Sequence, residues 1–250
     1  MGSYKAIVGD LKSFINKEKA EFLPRFFKTG KGQYGEGDKF HGITVPNQRT
    51  VVKKYCSTTS KETIIALLDS PYHEERLTGI LIMCEKFREV KKTGKEKEWV
   101  DLYLSKADRI NNWDLVDSSA HIILGQWLEN KDRKILYKLA VDPLLWRNRI
   151  AVVATWHFIR KNNDLKDILE LSKIMLSHKH DLMHKATGWM LREGWKKDPL
   201  AIEEFLDEFA TRMPRTMLRY AIEKMEEKKR KGYLNLSATL SAPHRMQDHH

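Results

Sequence analysis

The chain has 250 residues, 41% hydrophobic and 32% charged with only 13 Gly and 7 Pro, which excludes a disordered or collagen-like chain and allows a sizeable core. Its 45 Lys and Arg outweigh 34 Asp and Glu, giving a net charge of +11 that suits a polyanionic partner, whether nucleic acid or an anionic membrane surface. Cys56 and Cys84 alone cannot build a disulfide framework or a four-cysteine zinc site, no apolar run approaches the ~18 residues of a membrane span, and a signal-peptide core is missing, so the expected setting is cytoplasmic.

The opening MGS reads as vector-derived, and Ala6 stands where a myristoylation motif needs Ser or Thr. The first punctuated stretch is residues 30–46, GKGQYGEGDKFHGITVP. It fails as a phosphate-binding loop, because Glu36 follows Gly35, Asp38 follows Gly37 and no strand precedes it. Its glycines make an irregular connection that can touch a ligand and that ends at a helix begun through Thr44 and Pro46. Beyond it, apolar residues recur at helical spacing: Ile64, Leu67 and Leu68 before Pro71, then Leu77, Ile80, Leu81, Met83, Cys84 and Phe87. Alternating strand patterns are missing, and the chain reads as all-α.

Four segments repeat one scheme: 67–87, 139–159, 175–195 and 209–225. Each has a helix end, a short polar or Pro-bearing break, a basic residue and an apolar helix. The basic landmarks are Arg76, Arg149, Lys185 and Arg219, separated by 73, 36 and 34 residues. The first step is about two periods, so a landmark is missing near residue 113. Such periods predict HEAT-like helical repeats stacked into a curved α-solenoid with a concave basic groove. A plain helical bundle is the alternative. The charged stretches 88–98 and 224–232 read as solvated faces or turns. The expected organisation is one domain over residues 1–232, followed by a loose, partly vector-derived tail over 233–250.

Among the side chains that carry chemistry, His178, His180 and His184 lack a third firm ligand type, so the predicted role of His184 is a phosphate contact, with no metal. Arg147, Arg149, Lys185 and Arg192 begin or lie on second helices of successive repeats. On a solenoid they would form a positive stripe that grips DNA backbone without reading sequence; scattered solubilising charge is the alternative. The segment 111–127, NNWDLVDSSAHIILGQW, breaks the basic pattern. Asn111 or Asn112 can cap a helix and Asp114 suits its first turn. Asp117, one turn further in, is a poor helix former that projects on the same side as Trp113. Trp189 occupies a comparable place two repeats on. On a DNA-binding face a carboxylate weakens binding, so a compensating role is needed, and stabilising the positive charge that develops on a sugar supplies one. An alkylated purine is already cationic, so its glycosidic bond breaks without a second carboxylate to protonate the leaving group, unlike an ordinary glycoside. The competing structural account is a buried Asp117–Arg149 ion pair.

These residues resemble the HEAT-like-repeat DNA alkylation-repair glycosylases, the AlkD type. The likeness runs from residue 20 to about 225 and rests on GQYGEGDKF-x-GI-x-VP, W-D-x-V-D at 113–117, W-x-x-R at 146–149 and KA-x-GW-x-LRE at 185–193. The resemblance implies that Asp117 is the catalytic carboxylate, that Trp113 and Trp189 flank the lesion's deoxyribose, and that Arg149 and Arg192 contact DNA. It implies excision of N3- and N7-alkylated purines from duplex DNA by a monomer, without base flipping and without metal or organic cofactor. Some members carry a tryptophan doublet whose first position is Asn112 here. A non-catalytic DNA-structure binder and a protein-binding helical scaffold are the alternative functions.

Overall fold

The computed structural model describes residues 2–91 and 93–239, the side chains of 237–239 excepted. All described secondary structure is helical apart from two isolated bridges, Gly2 to Thr59 and Lys39 to Tyr72. The chain divides into two compact units, one running to Asp132 and including Pro143–Ile150, the other formed by Arg133–Asp142 and the residues from Ala151 on.

In the first unit, α1 (Tyr4–Lys12), α2 (Lys17–Phe26) and α3 (Val45–Tyr55) precede α4 (Lys61–Leu68) and α5 (His73–Val90). Side-chain caps begin three of them, Ser3 for α1, Asn16 for α2 and Ser60 for α4, each accepting from a backbone N–H that the first turn leaves unpaired. Thr44 precedes α3 with Pro46 in its first turn, as the glycine-rich stretch predicted. The apolar series from Ile64 to Phe87 is buried throughout and joins α4 to α5. Then follow α6 (Glu96–Ser105) and α7 (Trp113–Asp117). Directly after α7 the helix widens into a π turn over His121–Gly125, whose Ile122, Ile123, Leu124 and Gly125 are buried.

In the second unit lies α8 (Lys134–Ala140); α9 (Leu145–Ala154) then runs from the first unit into the second. The series continues with α10 (Trp156–Asn162), α11 (Lys166–Met175), α12 (Asp181–Trp195), α13 (Pro199–Phe209), α14 (Arg215–Ala221) and α15 (Glu227–Thr239). Helix α12 is the centre, packed by α10, α11, α13 and α14. Its tightest approach is at Gly188, where an added Cβ would stand 2.4 Å from the Met217 carbonyl oxygen and 2.5 Å from Tyr220 Cβ. Only a residue without a side chain lets α14 come so near.

The repeat is visible in register. Helices α5, α7, α9, α12 and α14 are each the second of a pair, and the fifth residues of α9, α12 and α14 are Arg149, Lys185 and Arg219. Arg76 is the fourth residue of α5. The fifth residue of α7 is Asp117, so the missing landmark is an acid in the position that later repeats give to a base.

The stretch 224–232 is a solvated face, as one of its two readings had it: Glu226–Lys229, Lys231 and Gly232 are exposed, and α15 begins at Glu227. One expectation needs correction. The tail does not begin at 233: α15 runs to Thr239, and Tyr233 is buried with its hydroxyl donating to Asp207 at 2.8 Å. A phenol ring against α13 gives that segment an anchor that its charged surroundings hide. Residues 240–250 and Met1 lie outside the described residues, while Ser3 of the opening MGS caps α1. Among the described residues no helix is long and apolar enough to cross a membrane.

In an open helix Gly→Ala is favourable by about 1 kcal/mol. At Gly188 the overlap with α14 reverses the sign, and Gly188→Ala should destabilise by about 1–3 kcal/mol. Thermal unfolding measures it; a midpoint equal to or above that of the parent would refute the close approach of α12 and α14.

Candidate active site

Asn112 begins α7: its backbone is extended and its side-chain oxygen accepts from Trp113 N–H. Leu115 and Val116 turn into the core at 0% exposure, which sends Trp113, Asp114 and Asp117 toward the other sides of this short helix. Arg149 reaches across from α9. Its Nε donates to Asp117 Oδ1 and its Nη2 to Oδ2, both at 2.8 Å, a two-pronged charge-assisted pairing. The guanidinium is buried, whereas the Asp117 side chain keeps 20% of its surface open. Burial pushes the Asp117 carboxyl up from the ordinary carboxylate range; Arg149 pulls it down, and neighbouring Asp114 adds to the rise. The result is a carboxylate gripped from behind by a cation and open on one edge.

Trp113 lies on an aromatic shelf. Phe27 stacks on it at 5.6 Å with 24° between the planes, and Phe26 meets it edge-on at 5.9 Å. Phe27 also packs on the imidazole of His73, 4.5 Å between centroids, and Phe40 stacks on the same ring at 5.1 Å. Both nitrogens of that imidazole face carboxylates: Nε2 lies 2.8 Å from Asp114 Oδ2 and Nδ1 lies 3.3 Å from Asp38 Oδ2. Burial alone would lower the His73 pKa, but Asp114 and Asp38 outweigh it and raise it from 6.5 to about 9. Asp38 in turn is held below the usual carboxylate range despite its burial, by His73 and Arg76.

The glycine-rich stretch is clamped to the start of α5. Lys39 N–H donates to the Pro71 carbonyl at 3.0 Å, and His73 N–H donates to the Lys39 carbonyl at 2.9 Å. The Glu74 carboxylate accepts from the backbone N–H groups of His41, Gly42 and Ile43 at 2.8 to 3.2 Å. Glu75 accepts from Tyr4 Oη, Ser70 Oγ and His41 Nε2. Gly35 is pressed so closely on the loop that a Cβ would stand 2.5 Å from the Phe27 carbonyl oxygen and 3.4 Å from Asn112 Nδ2. Tyr34 meets Trp146 edge-on at 6.0 Å. This segment therefore supports Trp113 indirectly, its Phe40 stacking at 5.3 Å on Phe27, which stacks on Trp113.

In the second unit, Lys185, Trp189 and Arg192 share one face of α12, three or four residues apart. Trp189 is half-buried, its ring centroid 5.1 Å from that of Trp156, and the Arg160 guanidinium covers Trp156 at 5.0 Å. Lys185 pairs with Asp181 at 2.7 Å, and Arg192 pairs with Glu223. His184 Nε2 donates to the His178 carbonyl oxygen at 2.6 Å, and His180 caps α12 by accepting from Leu182 N–H. Burial, then His180 and His184, lower the His178 pKa. Among the described residues no group of three or more His, Cys, Asp or Glu is placed to hold a metal ion.

The structure thus brings Trp113, Asp117 and Arg149 together in the first unit, where Arg147 is half-buried two residues before Arg149 on α9, and sets Trp189, Lys185, Arg192 and His184 along α12 in the second. Arg76, a landmark of the basic pattern, is 1% exposed and bound to Asp38 at 2.6 Å, so it contributes nothing to an exposed stripe. Sequence reasoning assigned Asp114 to the helix start, where its Oδ1 does accept from Leu115 N–H, but it missed the partner His73. It missed Phe26, Phe27 and Phe40 beneath Trp113, and Trp156 against Trp189. One signal was present: 73-HEER-76 places four ionisable residues directly before the mostly apolar run 77–84 of α5.

A family profile described as DNA alkylation repair enzyme matches residues 7–225. A solved structure described as a predicted DNA alkylation repair enzyme from Enterococcus faecalis is similar over 85% of this chain and 97% of its own, at 17% identity and a TM-score of 0.64. A second, from a new family of proteins related to the HEAT-like repeat DNA glycosylases with affinity for branched DNA structures, covers 94% of this chain and 96% of its own, at 12% identity and a TM-score of 0.57. No curated protein sequence matches. The fold is that of an all-α protein of the HEAT-like-repeat class. The chain belongs to the DNA alkylation repair enzyme family.

Removing Arg149 leaves Asp117 without its cation. Arg149→Ala should destabilise by about 3 kcal/mol at pH 8, the order expected for breaking a buried pair. The unpaired carboxyl gains a still higher folded pKa, so its penalty is fully present above that value and vanishes below the ordinary carboxylate range. Denaturant melts at pH 8 and pH 4 test this; an equal loss at both would show that Asp117 does not depend on Arg149 for its charge.

Proposed function

We propose that this protein is a DNA glycosylase that excises cationic N3- and N7-alkylated purines from duplex DNA. The observation that carries the reading is the Asp117 carboxylate, braced by Arg149 and open on one edge beside the half-buried face of Trp113. Alkylation already places a positive charge on the purine, so the bond from C1′ to the base nitrogen breaks with the electron pair leaving on a base that becomes neutral. Positive charge then grows on the sugar as an oxocarbenium ion. An ionised Asp117 is oriented to stabilise that charge, and the π face of Trp113 adds an attraction of about 1 kcal/mol. Water bonds to C1′, its proton passes to Asp117 or to solvent, and the products are a free alkylpurine and an abasic site. No general acid, metal or organic cofactor enters this scheme, and the base reacts while still stacked. Trp189 is assigned as a further sugar contact, with Arg147, Lys185, Arg192 and His184 as backbone contacts of a monomer, while Arg149 serves the site through Asp117.

A second reading, a non-catalytic binder of branched or bent DNA, is favoured by the similarity to a protein described as having affinity for branched DNA structures. Release of free base separates the two. Methylated duplex DNA incubated with the protein should yield 7-methylguanine, and Asp117→Asn should slow the single-turnover rate by about 100-fold while DNA affinity holds. An unchanged rate in that variant would remove Asp117 from the reaction, and no base release from the parent protein would leave the binding reading.

The pH dependence has a definite sign. Asp117 works ionised and its pKa is raised by burial, so excision should fall on acidification along a limb that lies above the ordinary aspartate value of 3.8. A limb at or below that value would disconnect Asp117 from the rate.

A further inference from the structure

We propose that His73 is a positioning residue for the reaction: as an imidazolium bridging Asp38 and Asp114 and packed on Phe27, it sets Trp113 and Asp117 in place. The proposal rests on the reading of Asp117 given above and assigns a role to a buried group behind Phe27 and Trp113. His73 is 2% exposed, and each of its ring nitrogens lies within 3.3 Å of a carboxylate oxygen. A neutral imidazole has one N–H and one lone pair, and the lone pair would face a carboxylate with nothing to share. Both nitrogens donate only when the ring is charged, and the raised pKa accords with that.

The bridge acts on the site along two routes. Through hydrogen bonding it holds Asp114, which follows Trp113 directly, precedes Asp117 by three residues and lies in the first turn of the same five-residue helix. Through packing it backs Phe27, whose ring lies between His73 and Trp113. Helix α7 is too short to hold its own direction, and the π turn that follows loosens its far end. The charged groups that face His73 are Asp38 from the loop, Asp114 from α7 and Arg76 from its own helix α5; Phe27 and Phe40 are neutral. Two acids, Asp38 and Asp114, are thereby balanced by two cations, His73 and Arg76, and of these Asp114 acts directly on Asp117. Without the imidazolium, Asp114 becomes an uncompensated negative charge beside Asp117 and makes the ionised form of Asp117 harder to keep.

The test uses the full chain. His73→Gln removes the charge while keeping one hydrogen bond, and Asp114→Asn keeps the buried ring while removing a facing charge. His73→Gln should lower the saturating single-turnover rate on 7-methylguanine duplex about tenfold, the scale of a small misplacement, with DNA affinity unchanged. Its acid limb should move to higher pH, and adding Asp114→Asn should move the limb back. In the free protein, the indole N–H resonance that Trp113→Phe deletes should shift in His73→Gln. A lower melting temperature with the limb and the indole resonance both in place would mean a purely structural residue and would overturn the proposal. The Asp117→Asn variant separates the two ideas: if it retains the parent rate, the reaction reading fails, while the Trp113 resonance still decides what His73 positions.

Discussion

A carboxylate that is to meet a developing cation must stay ionised in surroundings dry enough to make its charge count. These demands oppose one another, because the burial that strengthens an electrostatic interaction also drives a carboxyl to hold its proton. In the proposed reaction the Asp117–Arg149 pair would reconcile them. A guanidinium fork occupies the inner side of the carboxylate, and the outer edge stays open. The two residues occupy the same register, the fifth position of α7 and of α9, so one structural repeat supplies the acid and the next supplies the base that holds it. Had α7 carried a base there, the two cations would face each other and the site would hold only phosphate.

The ground beneath this pair is made of further charge rather than of a plain apolar core. His73, Glu74, Glu75 and Arg76 open α5 and are all buried. Each charge is opposed: His73 by Asp114 and Asp38, Glu74 by three backbone amides, Glu75 by Tyr4, Ser70 and His41, and Arg76 by Asp38 and the Ser70 carbonyl, although its buried Nε finds no hydrogen-bond acceptor. Buried charges so opposed favour one arrangement, since a shift strands a charge. The aromatic rings from Phe27 to Trp113 sit on that arrangement. A loop rich in glycine, which would otherwise wander, is thereby fixed against the helix that supports the tryptophan.

Much of the architecture was legible because helix formation is a local matter. Apolar spacing from Ile64 to Phe87 named residues that are buried, Pro71, Pro143 and Pro214 marked breaks before second helices, and the 36- and 34-residue steps from Arg149 to Lys185 to Arg219 matched the register of α9, α12 and α14. The site was legible in part. The departure at 113–117 stood out because an acid replaced a base in a repeating position. Partners distant in sequence were hidden: Asp114 meets His73 from 41 residues away, and Tyr233 anchors α15 to Asp207 from 26 residues away. The basic landmarks also concealed a division, since periodicity treats Arg76 and Arg219 alike while one is buried in an ion pair and the other is exposed.

By itself the sequence determined that the chain is helical, where most second helices begin, that its surface is positive, and that Trp113 and Asp117 share a side of one helix. Those properties follow from neighbours within one or two turns and from a sum of charges. Only the tertiary structure decided what each charge faces. It showed Arg149 gripping Asp117, a pairing the sequence offered only as the competing account of a stripe residue, and it turned Asp114 from a helix-start residue into the seat of a buried imidazolium. The reason is physical: helical periodicity repeats every few residues along the chain, but a Coulomb interaction depends on distance and burial in space, which residues 32 or 41 positions apart acquire only when the helices pack.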